Sequence, residues 1–497
     1  MTQEYESVMI RKNRGFCMKN ITIIGAGLGG LTAGALLSKK GHKVTLLEQH
    51  NIVGGCATTF KRKGGFICEV GLHEMDGVYT NPTVIKIFNE LDVYNHVTFV
   101  KANEFFEVRT KNGLFRMPDG LDKAQKVLID KFPQEKNAII RYFKMITTLG
   151  TKLETLQDAS WYHYAFFPFL FAEILWYTSK SVSDVFNKLF KDEAVKLILN
   201  SNVQYYNDSP DTLSFLLHAV AQHSYYKGGG YFIKGGSGRL SEYLASIIKE
   251  NGGEIITSAM VTSCTHNVVE YLHKHKNNTL NSDEVVSNLS PEQTYRLYHE
   301  PYREKKQYGN SLLTIYLGFS QNLKKVYGER AYSNFIFDNI STMDDFNKMI
   351  QKDILEKAFI FVDYAQLDAA LTKDENKSYG VITMIDDIKD WEELTTEQYQ
   401  EKKEKLIEVT VKKLEKYYPN ISNIIEYAEV GTAKTVKRYI KTPNGTAYGF
   451  KPTPKDFFRI PEVKSKKVKN LYFVGQWIVA GGFSPSIVSG YMCAKKL

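Results

Sequence analysis

The sequence predicts an α/β protein: a Rossmann-type dinucleotide-binding domain with a second, α+β domain interleaved through it. Three observations lead there. Residues 20–48 carry a complete βαβ pattern broken by a glycine-rich turn, residues 121–223 read as mostly helical and very aromatic, and residues 470–497 return to a strand, a turn and a helix. A chain of 497 residues can bury a large core and suits two intimately joined domains.

The βαβ unit opens with Ile21-Thr22-Ile23-Ile24 and breaks at Gly25-Ala26-Gly27-Leu28-Gly29-Gly30. An amphipathic helix is expected over 31–40, and a second strand, Lys43-Val44-Thr45-Leu46-Leu47, ends on Glu48. Each residue type has a task in a nucleotide site. Gly25 permits the tight turn, Gly27 lets backbone approach a pyrophosphate, and Gly30 lets the helix pack closely on the strand. The helix start offers unpaired N–H groups to phosphates. Glu48 can accept hydrogen bonds from ribose hydroxyls. Strand, fingerprint, helix, strand and terminal acid agree.

Gly54-Gly55 follows, then Cys56-Ala57-Thr58-Thr59-Phe60 and Gly64-Gly65-Phe66-Ile67-Cys68-Glu69-Val70-Gly71-Leu72-His73. With these residues the chain resembles the FAD-dependent amine oxidase-like oxidoreductases, and within them the phytoene desaturase, carotenoid isomerase and retinol saturase group. The resemblance runs from Asn20 to the C-terminus and is strongest at its two cofactor ends. It implies FAD as the cofactor, an FAD-binding domain of residues 18–80, 228–300 and 445–497, and a substrate domain of 81–227 and 301–444 with an aromatic helical part. It also implies cofactor contacts from Gly25, Gly27, Leu28, Gly29, Gly30, Glu48, Gln49, Gly54, Gly55 and Cys56. Most members carry Arg after the paired glycine; Cys56 with Gly71-Leu72-His73 looks like the retinol saturase branch.

Composition narrows the classes. Hydrophobic residues at 43% and charged ones at 24% describe a folded protein, not a disordered one. A net charge of +9 permits attraction to anionic lipid surfaces, although a lysine-rich solvated surface explains it more simply. No motif or compact basic block points to nucleic acid, and residues 464–469 read as a surface turn. Five scattered cysteines make no disulfide framework, so a reducing cytoplasm is the expected compartment. Residues 1–17 are polar and unpatterned and carry no signal peptide pattern; they read as a disordered extension or as a product of start-site choice.

Along the chain, residues 81–91 read as a short helix and 98–117 as two strands around Lys111-Asn112-Gly113. The most apolar window is 161–177. It is short and carries Glu173, His163 and Pro168, so it is not a convincing membrane span. A monotopic membrane contact and a buried helical hairpin stand as its two readings. Ser181 caps a helix expected to run to residue 199. Gly235-Gly236-Ser237-Gly238 precedes a helix over 240–251, and residues 254–257 form a strand. Residues 266–281 read as a poorly ordered polar hairpin, and 283–288 as a strand back under the cofactor. Strands follow at 312–319, 379–385 and 425–430, with a helix begun by the capping box at Thr395 and Gln398, and a loop over 439–450.

In relatives, backbone at the position of Val261 contacts adenine, a loop like Asn444-Gly445-Thr446-Ala447-Tyr448-Gly449 lies beside the flavin, and Gly475, Gln476, Gly482, Phe483 and Ser484 approach the ribityl–phosphate region and the flavin N1/O2 edge. Many members have an acid where Gln476 stands. By the same resemblance the loop of His73 and Glu74 faces the isoalloxazine. These two residues are the candidate proton donors, against a reading of His73 as a backbone-bonded loop residue. Tyr448 is a candidate lining residue, and Cys56 reads as small packing rather than a redox thiol. No metal set appears; His273 and His275 sit in the polar hairpin.

The expectation is an enzyme that saturates, desaturates or isomerises carbon–carbon double bonds of a hydrophobic isoprenoid or polyene lipid, carotenoid- or retinoid-like, with flavin N5 carrying the transfer. The alternatives are an FAD-dependent amine oxidase and a non-enzymatic prenyl-lipid carrier on the same fold; the intact Gly25, Gly27, Gly30 and Glu48 argue against the carrier. A hydrophobic substrate and a peripheral membrane surface are the expected partners, with an electron donor or acceptor the sequence does not name. Gly235-Gly236-Ser237-Gly238 ends no predicted strand, so no second dinucleotide unit is expected.

Overall fold

A computed structural model describes residues 17–71, 74–111, 113–157, 171–457, 459 and 461–497. Most of the N-terminal extension, His73 and residues 161–170 of the apolar window lie outside the described residues.

Two sheets organise the chain. The first is fully parallel, in the order Leu471–Phe473, Glu284–Ser287, Asn20–Ile24, Lys43–Leu47 and Glu254–Ile256. Its strands come from three distant parts of the sequence, and the fingerprint strand sits at its centre. Parallel strands covered on both faces read as continuous apolar runs, as Ile21, Ile23, Ile24, Val44, Leu46 and Leu47 do. The second sheet has seven strands, in the order Ile425–Gly431, Ser311–Phe319, Ser378–Asp386, Phe359–Asp363, Ser333–Phe337, Glu104–Thr110 and Gly113–Pro118. One of its faces packs with the helix Thr396–Glu415 through Trp391, Leu406, Leu414 and Tyr418. The helices Lys136–Gln157 and Phe215–Gly228 pack on each other, and Leu121–Lys131 packs against the strand Gly113–Pro118 of the second sheet.

The first helix runs Leu28–Lys39 and is not amphipathic: every residue from Leu28 to Ser38 is buried. The helices Gly238–Glu250 and Phe483–Lys496 pack against it in addition to the sheet, leaving no side for water. Close approach needs small residues there. A Cβ on Gly34 would stand 2.7 Å from Ile248 Cδ1, and one on Gly490 would stand 2.6 Å from the Gly29 carbonyl oxygen.

Other expectations change. The helix begun at Ser181 ends at Leu189, and a second helix spans Glu193–Asn200. The Glu135 carboxylate accepts the N–H groups of Lys191 and Asp192, both at 2.7 Å, and Asp192 caps the second helix, so the backbone donors that would join the two are already taken. The ribbon over 98–117 is three strands: Phe99–Lys101 pairs with Tyr231–Ile233, not with its sequence neighbour. The polar hairpin is regular, because Val268–His273 and Lys276–Asn281 pair along their whole length and continue onto Ala259–Cys264. Inward-facing Val269 and Tyr271 anchor it. The glycine turn at 235–238 does follow a short strand, Tyr231–Ile233, but that strand is antiparallel and outside the parallel sheet. The Glu69 carboxylate accepts both the Ser237 N–H (2.7 Å) and its hydroxyl (2.5 Å), so an acid already holds this helix start. A helix missed in the sequence, Ala433–Ile440, begins where the Ala433 N–H donates to buried Asp386 at 2.7 Å.

Candidate active site

One cavity of about 1990 Å³ runs from the parallel sheet to the helical end of the molecule. Its first half is a cradle of backbone. Gly25 holds a left-handed φ of +94° and Gly54 one of +116°, and the Gly54 N–H donates to the Ala26 carbonyl at 2.7 Å, which folds the second glycine pair onto the fingerprint. A Cβ on Gly30 would stand 2.2 Å from the Gly25 carbonyl oxygen, so Gly30 serves helix–strand packing and does not line the cavity. The helices Leu28–Lys39 and Phe483–Lys496 both start at this cavity, behind Gly27 and Gly482, and neither has a side-chain cap. Two uncapped N-termini give unpaired N–H groups and positive dipole ends, the donor set a diphosphate needs.

Glu48 stands beside this cradle. Its carboxylate accepts the Ala26 N–H at 2.7 Å and the His50 N–H at 2.8 Å. Burial pushes its acidity toward the protonated side, while those N–H groups hold it back. Gln49 donates to the Tyr439 carbonyl at 2.8 Å, and the His50 ring meets the Tyr439 ring edge-on. Leu28, Gly29, Gly55, Cys56, Val261, Gly475, Gln476, Phe483 and Ser484 line the same space. Burial pushes the Cys56 thiol up to about 11, so it stays a thiol at neutral pH and fits a packing role. The cradle therefore fits FAD: glycines where a Cβ would intrude, anion-ready helix starts and a ribose-ready carboxylate. Gln49, Glu48 and Val261 would hold the adenosine end, and the segments at 54–56 and 475–484 the ribityl and ring end.

The second half is built of side chains. Glu74, Asp76, Tyr205, Tyr225, Tyr316 and Tyr448 line it. The Ser484 hydroxyl donates to the Asp76 carbonyl at 2.9 Å, tying this loop to the terminal helix. A Cβ on Gly481 would stand 2.5 Å from the Tyr448 carbonyl oxygen, which places the tyrosine loop directly on the cofactor segment. Glu74, Tyr205, Tyr225 and Tyr448 lie close enough for their charges to interact. Tyr332 lies beside the Glu74 carboxyl, but no group among the described residues makes a well-formed hydrogen bond to either shielded oxygen. Burial holds this carboxyl well above the usual range, and the nearby Asp76 and Asp119 push the same way. This environment favours the neutral form of Glu74, the one able to give a proton. Burial likewise keeps the Tyr205, Tyr225 and Tyr448 phenols protonated.

Several of these residues are absent from the sequence-based set. Gly230 is one: a Cβ there would fall 1.4 Å from Glu74 Oε1, so only glycine seats the acid. Asn288 is another. Its amide lies among Gly27, Gly29 and Gly475, with Nδ2 2.4 Å from a Cβ on Gly27. The dipeptide Ser287-Asn288 at the end of a predicted strand was the available signal, since parallel sheets bind ligands at their strand ends. His73 lies outside the described residues.

Comparison with known proteins agrees with this geometry. The sequence profile described as flavin containing amine oxidoreductase matches residues 28–497. All-trans-retinol 13,14-reductase of Danio rerio is 24% identical over 95% of this chain and 85% of its own. The chloroplastic prolycopene isomerase of Daucus carota is 26% identical over 96% of this chain and 79% of its own. Among solved structures, cyclohexylamine oxidase from Brevibacterium oxydans superposes with a TM-score of 0.63 at 14% identity, over 97% of this chain and 98% of that one, which shows a shared fold.

Proposed function

The chain belongs to the flavin containing amine oxidoreductase family, and from that premise we propose that it reduces, oxidises or isomerises carbon–carbon double bonds of a retinoid- or carotenoid-like polyene. The observation that carries the proposal is the cavity in which the glycine cradle opens into a tyrosine-walled chamber holding the shielded carboxyl of Glu74. FAD, when bound, supplies the two-electron transfer. The chain's own residues do the rest. The cradle fixes the cofactor, the chamber excludes water from an apolar chain, and Glu74 exchanges a proton with a substrate carbon while Tyr448 lines the approach. The curated relatives' names, a retinol reductase and a prolycopene isomerase, support a polyene over an amine. No helix among the described residues is long and apolar enough to cross a membrane. Leu175 and Trp176, 42% and 72% exposed, offer a contact with a lipid surface where such substrates dissolve.

The test is anaerobic. Protein reduced with dithionite is mixed with all-trans-retinol and with a carotenoid, and oxidised protein with primary amines. Reoxidation by a polyene, with no bleaching by amines, supports the reading; bleaching by amines alone refutes it.

A further inference from the structure

Asn288 stands where the parallel sheet changes its order of filling. The fingerprint strand Asn20–Ile24 has Lys43–Leu47 on one side, reached first by the chain, and Glu284–Ser287 on the other, reached later. Ligands of such sheets bind in the crevice outside the strand ends at that switch. Ile24 pairs with Ser287, so Gly25 and Asn288 leave the sheet side by side. The Asn288 N–H donates to the Ile24 carbonyl at 2.9 Å, which fixes the backbone from which the side chain projects.

Four glycines, three from the fingerprint and one from the last segment, surround that side chain. A Cβ on Gly25 would stand 3.4 Å from Asn288 Cβ, one on Gly29 2.9 Å from Oδ1, and one on Gly475 2.2 Å from the same oxygen. With Nδ2 2.4 Å from the Cβ position of Gly27, the second fingerprint glycine makes room for an amide as well as for a phosphate. Asn288 is half-buried and lines the cavity, yet no described residue gives a hydrogen bond to its amide or takes one from it. The helix Leu28–Lys39 starts beside it and does not use it as a cap. Such an amide is a donor still open, placed where a helix start already attracts an anion.

We propose that Asn288 binds the FAD diphosphate, its Nδ2 donating a hydrogen bond to a phosphate oxygen. The proposal rests on the FAD cradle and not on the polyene reading. Asparagine suits the place because it adds a donor without adding charge. Aspartate has the same shape and only acceptors. In an empty cradle its carboxylate would take the unpaired N–H groups at the helix start, as a built-in anion, and it would repel the diphosphate. Exchanging one atom therefore separates two roles. A binding residue predicts a cradle that is empty yet no less stable; a packing residue predicts one that is merely weakened.

The experiment titrates flavin-free full-length protein with FAD and, separately, with ADP-ribose, which carries the diphosphate and adenosine and lacks the flavin. Asn288→Ala is expected to weaken both ligands by the same factor, about tenfold to a hundredfold, the worth of one hydrogen bond to a charged oxygen. Asn288→Asp is expected to weaken both by about a hundredfold or more, while the flavin-free protein melts no lower than wild type. Unchanged affinity in the alanine variant overturns the proposal. So does a loss confined to FAD, which would put the contact at the flavin. A flavin-free aspartate variant that melts below wild type marks a packing residue and overturns it too. Wild type that binds neither ligand overturns the cradle and the proposal together.

Discussion

The cradle and the chamber share a cavity but are made of different material. The cradle is backbone: Gly25, Gly27 and Gly54 shape its turns, the starts of two uncapped helices present N–H groups, and side chains are mostly kept out. The chamber is side chains: Glu74, Tyr205, Tyr225 and Tyr448 arrive from separate segments and meet only in the fold. A site made of backbone breaks when a Cβ is added. A site made of side chains breaks when one group is exchanged or its seat is lost. The two halves should therefore fail separately, and each variant below asks whether they do.

The largest effect belongs to the cradle. Gly27→Val would press on Asn288, 2.4 Å from the new Cβ, and fill the diphosphate approach. Overpacking against Asn288 costs about 1–3 kcal/mol of stability, and the blocked diphosphate approach removes the cofactor's binding contacts besides. The protein is expected to purify without flavin, read from its visible spectrum, and to melt somewhat below FAD-free wild type because of the overpacking.

Next comes the seat of the acid. Gly230→Ala puts a Cβ 1.4 Å from Glu74 Oε1, so the carboxyl must turn away. FAD should remain stoichiometric while the single-turnover rate with a polyene falls by roughly tenfold to a hundredfold. Loss of FAD in this variant would mean the halves are not separate.

How far each half could be read in advance follows from the same contrast. The fingerprint, Gly54-Gly55, Glu48 and the turn at Gly475 are local patterns, because a backbone site needs particular residues at short spacing. The parallel sheet was legible for that reason, and so was the closing helix. The chamber was not. Tyr205 and Tyr225 belong to a helical stretch where any tyrosine looks like core, and Gly230 looked like loop punctuation until Glu74 was seen against it. The mistaken amphipathic helix has a related cause: its third neighbour, Phe483–Lys496, is more than 440 residues away, a contact that no local periodicity reports.

A smaller effect concerns the chamber's outer wall. His218 is buried between the hydroxyls of Tyr142 (3.0 Å) and Tyr206 (3.2 Å), and burial lowers its pKa to about 3. A lowered value in the fold means that its contribution to stability is present above the ordinary value of 6.5 and is lost as pH falls from there toward 3. The melting temperature should drop between pH 7.5 and 5.5, and drop less in His218→Gln. That variant should be less stable at pH 7.5 by about 1–3 kcal/mol from the orphaned tyrosine hydroxyls. Equal acid sensitivity in the two proteins would remove His218 from the account.

The most direct measurement takes Glu74→Gln, an isostere that keeps the shape of the chamber and removes the transferable proton, and reads bound FAD and single-turnover polyene reoxidation in the same anaerobic sample. One FAD per chain with reoxidation slowed by about a hundredfold or more is the predicted result, because binding resides in the cradle and proton transfer in the chamber. Reoxidation at the wild-type rate with FAD in place would contradict that division and take Glu74 out of the reaction.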